Sequence, residues 1–312
     1  MATRGKSINL FLMDGDPRGR IKCMLANWTG VTYKIPRTEL EKCEKCGDLS
    51  QSGIYFLFGT SDQTDKEGMV YIGQAAIRKN NKGILHRLQE HRRDSDKDYW
   101  TEAVVFTTSN NWFGATEISY LENSFYNLAI KAKRYEVKNG NAPTKGNITE
   151  EKESELEEFV DYAKIVMGTL GHKLFESLRP VSTPDPTANK PEMEALPLYV
   201  KGRGADAQAM LTSEGLVVLA GSIIRKKVDK SCPESAKKVR ADNKDNIDED
   251  SRLTKDLLFG SPSGASAFVL GASTNGNAVW KTADGKSLKE VEASESAVQE
   301  DTRSGIHNPV CP

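Results

Sequence analysis

From Gly53 to Arg134 the apolar positions follow two alternating patterns. Gly53-Ile54-Tyr55-Phe56-Leu57-Phe58 is an unbroken apolar run that stops at Gly59. Met69-Val70-Tyr71-Ile72 is a second, ending in Gly73-Gln74. Short runs of this kind, joined by a polar stretch holding Asp62, Asp65 and Gly68, predict a β-hairpin with a long connection. Each run sets a tyrosine beside a glycine. From Gly83 to Asp94 the pattern turns helical, and Arg87 and His91, four residues apart, share one face. Ala103-Val104-Val105-Phe106-Thr107-Thr108 predicts a third strand. A second helix is expected from Ala115 to Arg134, carrying Glu117 and Glu122.

The flanking segments are organised differently. Residues 1–50 form a β-rich N-terminal segment. Ser7 to Leu12 and Ile21 to Trp28 are strand-like, and between them Asp14-Gly15-Asp16-Pro17-Arg18-Gly19 supplies turn chemistry. Pro36 to Leu40 starts a short helix, with Thr38 as candidate cap. Such a segment is too small to bury a core of its own, so it is expected to pack on the domain after it. Across residues 147–179 Leu156, Phe159, Val160, Ala163, Val166, Met167 and Leu170 recur at helical spacing, which predicts a helix bridging two domains. Glu150 to Glu158 crowd acid at its start, where the helix dipole favours it. Residues 180–197 are a proline-rich linker. Residues 198–292 form a second globular unit. Within it, Gly204 to Ser222 and Gly264 to Gly285 read as a weak repeat of a small-residue helix and a strand. Lys226 to Asp250 is expected as an exposed, charged, helical connection. Residues 293–312 are polar without periodicity and are expected to be a disordered tail.

Composition narrows the classes. The chain has 312 residues, of which 38% are hydrophobic and 28% charged, with a net charge of -1. That near-neutral balance excludes a strongly cationic coat, so nucleic acid must be held by local patches. No apolar run is long enough to span a bilayer, and Ile8 to Met13 is too short for a signal-peptide core; a cytoplasmic protein without a membrane partner is expected. Five cysteines, Cys23, Cys43, Cys46, Cys232 and Cys311, fit reduced thiols. Cys43-Glu-Lys-Cys46 is a lone CxxC. It lacks the second pair that a structural zinc site needs, and Cys23 is its one candidate third ligand.

The candidate chemistry lies in the motifs of residues 51–146. Gly-Ile-Tyr, then Tyr-Ile-Gly, then an Arg with a His one turn on, then a helical Glu, resemble the GIY-YIG nuclease superfamily. The resemblance implies an α+β protein whose GIY-YIG domain has a three-stranded antiparallel sheet flanked by helices, with the N-terminal segment before it and a small C-terminal α/β domain after it. It implies a DNA endonuclease that uses Mg²⁺ or Mn²⁺ and no organic cofactor. On the matching positions the catalytic set is Tyr55, Tyr71, Arg87, His91 and Glu122, with Glu122 also the metal ligand. Arg87 is a fixed cation able to fork two donors onto a phosphate. Tyr71 is the candidate general base, although a free phenol with a pKa near 10 needs a cation or metal-bound water to serve at neutral pH. Glu117 competes for the ligand role but points about 140° away on an ideal helix. Candidate phosphate-binding residues are Gly73, Gln74, Arg78, Lys79 and Arg92, with further basic positions at Lys82, Arg93, Lys131, Lys133, Arg134 and Lys138. Gln74 departs from the family, where Lys or Ser is common. Asn139 or Asn141 matches the family's later Asn, without an assigned role. Phe259 to Ala272, with Asn275-Gly276 and Trp280, resembles a domain of unknown function often appended to GIY-YIG modules; a targeting role for it is expected. The alternative is a nucleic-acid- or protein-binding module that keeps the fold without the chemistry. Repair, restriction and mobile-element roles stay open, as does the oligomeric state.

Overall fold

The computed structural model describes residues 5–60, 68–78, 82–179, 196–291 and 293–294. The chain divides into two compact units, Ala2–Ser177 and Leu178–Pro312.

In the first unit, β1 (Ile8–Leu12), β2 (Ile21–Leu25) and β3 (Gly30–Pro36) precede β4 (Gly53–Thr60), β5 (Gly68–Ala75), β6 (Trp100–Thr108) and the two-residue β7 (Glu136–Val137). They form one sheet in the order β1-β2-β3-β6-β4-β5-β7. All pairings are antiparallel except β5–β7. The three strands expected from residues 53–108 are therefore adjacent members of a seven-stranded sheet, with β4 between β6 and β5. The N-terminal segment does not pack as a separate layer, because β3 continues the sheet by pairing with β6 from Gly30↔Thr108 to Pro36↔Glu102.

The burial of β4 explains its unbroken apolar run. Every residue from Gly53 to Gly59 is buried, as expected of a central strand covered on both faces. One face carries Ile54, Phe56, Val70, Ile72, Val104 and Phe106, packed against α2 (Ala115–Ala132) and α3 (Glu150–Thr169). The other carries Tyr55, Leu57, Ala103 and Val105, packed against α1 (Ile84–Arg93) and the 3-10 helices Arg37–Lys45 and Gly47–Ser50. Segment 147–179, expected as a bridge, contributes Leu156, Phe159, Ala163 and Met167 to this core. Pro36, not Thr38, caps the helix at Arg37–Lys45, and no side chain bonds its free N–H groups. Cys23 lies on the α2/α3 face and Cys43 on the α1 face, so the sheet separates the CxxC from its candidate third ligand.

The second unit builds an antiparallel sheet in the order β11-β10-β9-β8 from β8 (Pro197–Gly202), β9 (Ala205–Thr212), β10 (Gly215–Val218) and β11 (Leu257–Phe259). With it go α4 (Glu234–Asp242), α5 (Pro262–Leu270) and α6 (Gly276–Val279). The expected repeat is absent: Ala205–Thr212 is a strand, whereas Pro262–Leu270 is a helix. Segment 226–250 is more than an exposed connection. Arg240 of α4 donates to the carbonyls of Phe268 and Val269, at the end of α5, at 2.7 and 3.1 Å, and to that of Arg225 at 2.8 Å. Residues 180–195 of the linker 180–197, the hairpin connection 61–67 and the tail beyond 294 lie outside the described residues.

Candidate functional site

Tyr55 and Gly73 are paired neighbours on β4 and β5. The phenol of Tyr55 lies across Gly73, where a Cβ would stand 2.3 Å from its hydroxyl. Gly73 is thus the space the Tyr55 ring occupies. The hydroxyl of Tyr55 is 2.7 Å from His91 Nε2 on α1. The Tyr71 ring stacks beside it, centroids 6.3 Å apart. Tyr55 is 1% exposed and His91 3% exposed, whereas Tyr71 is half-buried. Burial pushes the Tyr55 phenol well above its ordinary value, and Tyr71 adds to this while Arg87 opposes it. Burial and the charge of Glu122 also raise Tyr71, against Arg87 and a hydrogen-bonding interaction with Tyr55. Burial, with the charges of Lys97 and Arg87, pushes His91 down to about 4.

Arg87 leaves α1 on the same side. Its Nη1 donates to Glu90 at 2.8 Å. Arg78 donates to the same carboxylate at 2.7 and 3.2 Å. Hydrogen bonds from Arg78 and then Arg87 hold Glu90 down at about 2. Arg87 also interacts with the Tyr55 hydroxyl. Its side chain keeps 38% exposure and borders a recess of about 370 Å³ with Gln74, Ala75, Ala76, Arg78 and Gly83. A phosphate entering here would meet two guanidinium groups bridged by one carboxylate.

Glu122 comes from the other face of the sheet. Gln74 alternates with Tyr71 along β5, so its side chain points towards α2. There its Nε2 donates to Glu122 Oε2 at 2.9 Å and to Ser119 Oγ at 3.2 Å. Gln74, expected on phosphate, holds the carboxylate instead. Burial raises the Glu122 pKa, with Gln74 and Arg87 opposing. Its hydrogen-bond partner is a neutral amide, so no directly paired cation offsets that burial. No group of three His, Cys, Asp or Glu side chains among the described residues could hold a metal ion. One half-buried carboxylate suits Mg²⁺, which usually takes one or two carboxylates and keeps water and substrate oxygens as its other ligands. It does not suit zinc.

The remaining positions fall elsewhere. Arg92 is paired with Glu41 at 2.6 Å. Lys79 lies outside the described residues. Glu117 sits on the first turn of α2, where its carboxylate covers Gly114. Lys138 pairs with Glu136 at 2.9 Å. Asn139 is structural. Its side chain accepts from Ile72 N at 3.0 Å and donates to Ile72 O at 2.7 Å, pinning the strand that carries Tyr71 and Gly73.

Two residues were not anticipated. Glu90 follows Arg87 at i,i+3, a spacing that does signal a helical ion pair. Lys97 lies beyond the end of α1 in the 3-10 turn Ser95–Lys97. Its Nζ is 3.0 Å from His91 Nδ1 and 3.7 Å from the Tyr71 ring centroid. No periodicity reaches it.

Residues 198–292 match a family described as a domain of unknown function (DUF4357), in agreement with the resemblance of the second unit. No curated protein and no solved structure matches the chain. No helix among the described residues is long and apolar enough to cross a membrane.

Proposed function

We propose that residues 51–146 are a GIY-YIG-type endonuclease domain that hydrolyses DNA phosphodiester bonds with a divalent cation, Mg²⁺ or Mn²⁺. The observation that carries this reading is the convergence of five expected residues from four elements. Tyr55, Tyr71, Arg87, His91 and Glu122 are far apart in sequence, yet the rings of Tyr55, Tyr71 and His91 lie with centroids 5.3 to 6.3 Å apart, and Arg87 and Glu122 stand close enough to act on both tyrosines. In this reading the more exposed phenol, Tyr71, takes the proton of the attacking water. Arg87 sits beside the recess and neutralises charge developing on the phosphate, a role of the kind that fixed donors fill in other active sites. Tyr55 and His91 hold Tyr71 in place. Glu122 would hold the cation, which would act as a Lewis acid on the phosphate and stabilise the leaving oxygen. The second unit would target the enzyme to its substrate, supported by a recess of about 440 Å³ lined by Arg203, Arg225, Lys226 and Lys227, with Asp250 at its side.

The rival reading, a binding module without chemistry, also has an observation in its favour. Arg87 and Arg78 already share the carboxylate of Glu90, which offsets part of their charge, and burial raises Tyr71, opposite to what a base needs. One experiment separates the two. The purified chain is incubated with Mg²⁺ or Mn²⁺ and a panel of duplex, single-stranded and branched DNAs. We expect cutting that stops in EDTA, and a fall of orders of magnitude for Glu122→Gln, which keeps shape and removes charge. Binding of the panel with no cutting by the wild type selects the rival, and undiminished cutting by Glu122→Gln removes the carboxylate from the mechanism.

A further inference from the structure

His91 is held between two polar groups and shielded from water. Its Nε2 is 2.7 Å from the Tyr55 hydroxyl and its Nδ1 is 3.0 Å from Lys97 Nζ. Burial and two neighbouring cations keep the ring neutral at physiological pH. A neutral imidazole has one donor and one acceptor, so the two contacts are not independent. An ammonium has three donors and no acceptor. With Lys97 charged, Nδ1 must accept, and the proton of His91 must sit on Nε2.

The face of the Tyr71 ring favours the charged form of Lys97 over the neutral amine that would invert this arrangement. Its Nζ lies 3.7 Å from the Tyr71 ring centroid, within cation–π range. Burial and then Arg87 lower its pKa, and Asp94, at the end of α1, opposes them. Glu90 and Asp94 face His91 from α1 and its end, opposite in sign to Arg87 and Lys97.

We propose that Lys97 is a positioning residue that fixes His91 as the Nε2–H tautomer and so gives the hydrogen-bond chain a direction, from Lys97 to His91 to Tyr55 to Tyr71. With Nε2–H donating to the Tyr55 oxygen, the Tyr55 proton turns towards Tyr71. The Tyr71 oxygen then ends the chain as an acceptor, and the ammonium lies over its ring. Both features favour the phenolate of Tyr71, the form able to take a proton. This last consequence rests on the nuclease reading; the tautomer does not.

The test begins with the full-length protein labelled with ¹⁵N in histidine. Long-range ¹H–¹⁵N correlation near neutral pH distinguishes a protonated ring nitrogen from an unprotonated one. The chain has four histidines, and a His91→Gln spectrum identifies the signals of His91. The expected result is an unprotonated Nδ1 and a protonated Nε2. In Lys97→Met the two nitrogen shifts should move towards each other or exchange, while Lys97→Arg, which keeps a cationic donor, should preserve the wild-type pattern. A wild-type His91 protonated on Nδ1, or on both nitrogens, overturns the proposal without any variant. Unchanged shifts in Lys97→Met overturn it as well. Where DNA is cleaved, Lys97→Met should cut about ten to a hundred times more slowly, the scale of losing an orienting partner. The ascending limb of its pH–rate profile, where the base loses its proton, should shift to higher pH, and Lys97→Arg should restore most of the rate. A wild type that cuts no DNA removes the nuclease reading and leaves the tautomer to be decided by the spectra alone.

Discussion

At the level of single residues, Gly73 shows how a motif letter becomes geometry. Its missing side chain is where the Tyr55 ring lies, and that ring is fully buried and tied to His91. We predict that Gly73→Ala costs about 1–3 kcal/mol, the range for overpacking a filled core, and weakens the Tyr55–His91 contact. Chemical denaturation measures the first and the Tyr55 environment by NMR the second; wild-type stability would mean that the ring simply slides. His91 adds a pH dependence with a defined sign. Its folded-state value is about 4 against 6.5 for an ordinary histidine. The unfolded chain therefore binds more protons between those values, so stability is full above about 6.5 and falls as pH drops towards 4. Between pH 7 and 5 this amounts to about 2 kcal/mol. Denaturation midpoints of wild type and His91→Gln across that range test it, since the variant should lose that part of the slope. Tyr55, Tyr71, Arg87, His91 and Glu122 could be picked out as candidates in the sequence because their residue types and order resemble a family's motifs. Lys97 was not legible, because only the path of the chain beyond α1 delivers it.

Among the elements, β5 carries the second tyrosine near the edge of the sheet, and its pairing there is short. β7 pairs with it over two residues, Glu136 and Val137. Asn139 then continues the edge with its side chain, exchanging two hydrogen bonds with the backbone of Ile72. We predict that Asn139→Ala destabilises the first unit by about 1–3 kcal/mol, as expected for leaving a partly buried backbone donor and acceptor unmatched. Amide exchange should speed up at Ile72 more than at residues of β4; equal protection in both strands would assign Asn139 no part in holding the edge. The central strands could be read from sequence because an apolar run of six residues has few other destinations. The strand β9 was misread, for a reason visible in its residues. Ala205-Asp206-Ala207-Gln208-Ala209 alternates buried and exposed positions, which is the period of a strand. Its alanines carry high helix propensity, and the period prevails because the alternate alanines are needed in the core of the second unit. Arg240 was hidden for a related reason, since a cation in a charged segment reads as exposed until the carbonyls it satisfies are located.

For the whole molecule, the two units have separate cores. The buried residues of the first unit's hydrophobic clusters lie within 21–174, and those of the second begin at Leu198. A chain ended after Ser177 should therefore fold cooperatively, which circular dichroism and a single unfolding transition would check. The near-neutral net charge of -1 means that any DNA affinity must come from localised cations. In the first unit Arg78 and Arg92 are engaged by Glu90 and Glu41. In the second, Arg203, Lys226 and Lys227 line the larger recess without a direct ion pair among the described residues, whereas Arg225 is held by Asp229 at 2.7 Å. If the second unit targets the protein through these three, each phosphate contact should contribute about 0.9 to the slope of log affinity against log salt. The full chain should then lose affinity for duplex DNA with rising salt more steeply than the chain ended after Ser177, by about 2 to 3 in slope. Replacing Arg203, Lys226 and Lys227 together by Ala should bring the full chain down to the slope of the shortened one, with its melting temperature unchanged because all three side chains are exposed. Fluorescence anisotropy across a salt series measures all three proteins under one set of conditions. Identical slopes for wild type and the triple variant would show that these cations meet no phosphate, and would assign any targeting by the second unit to another surface.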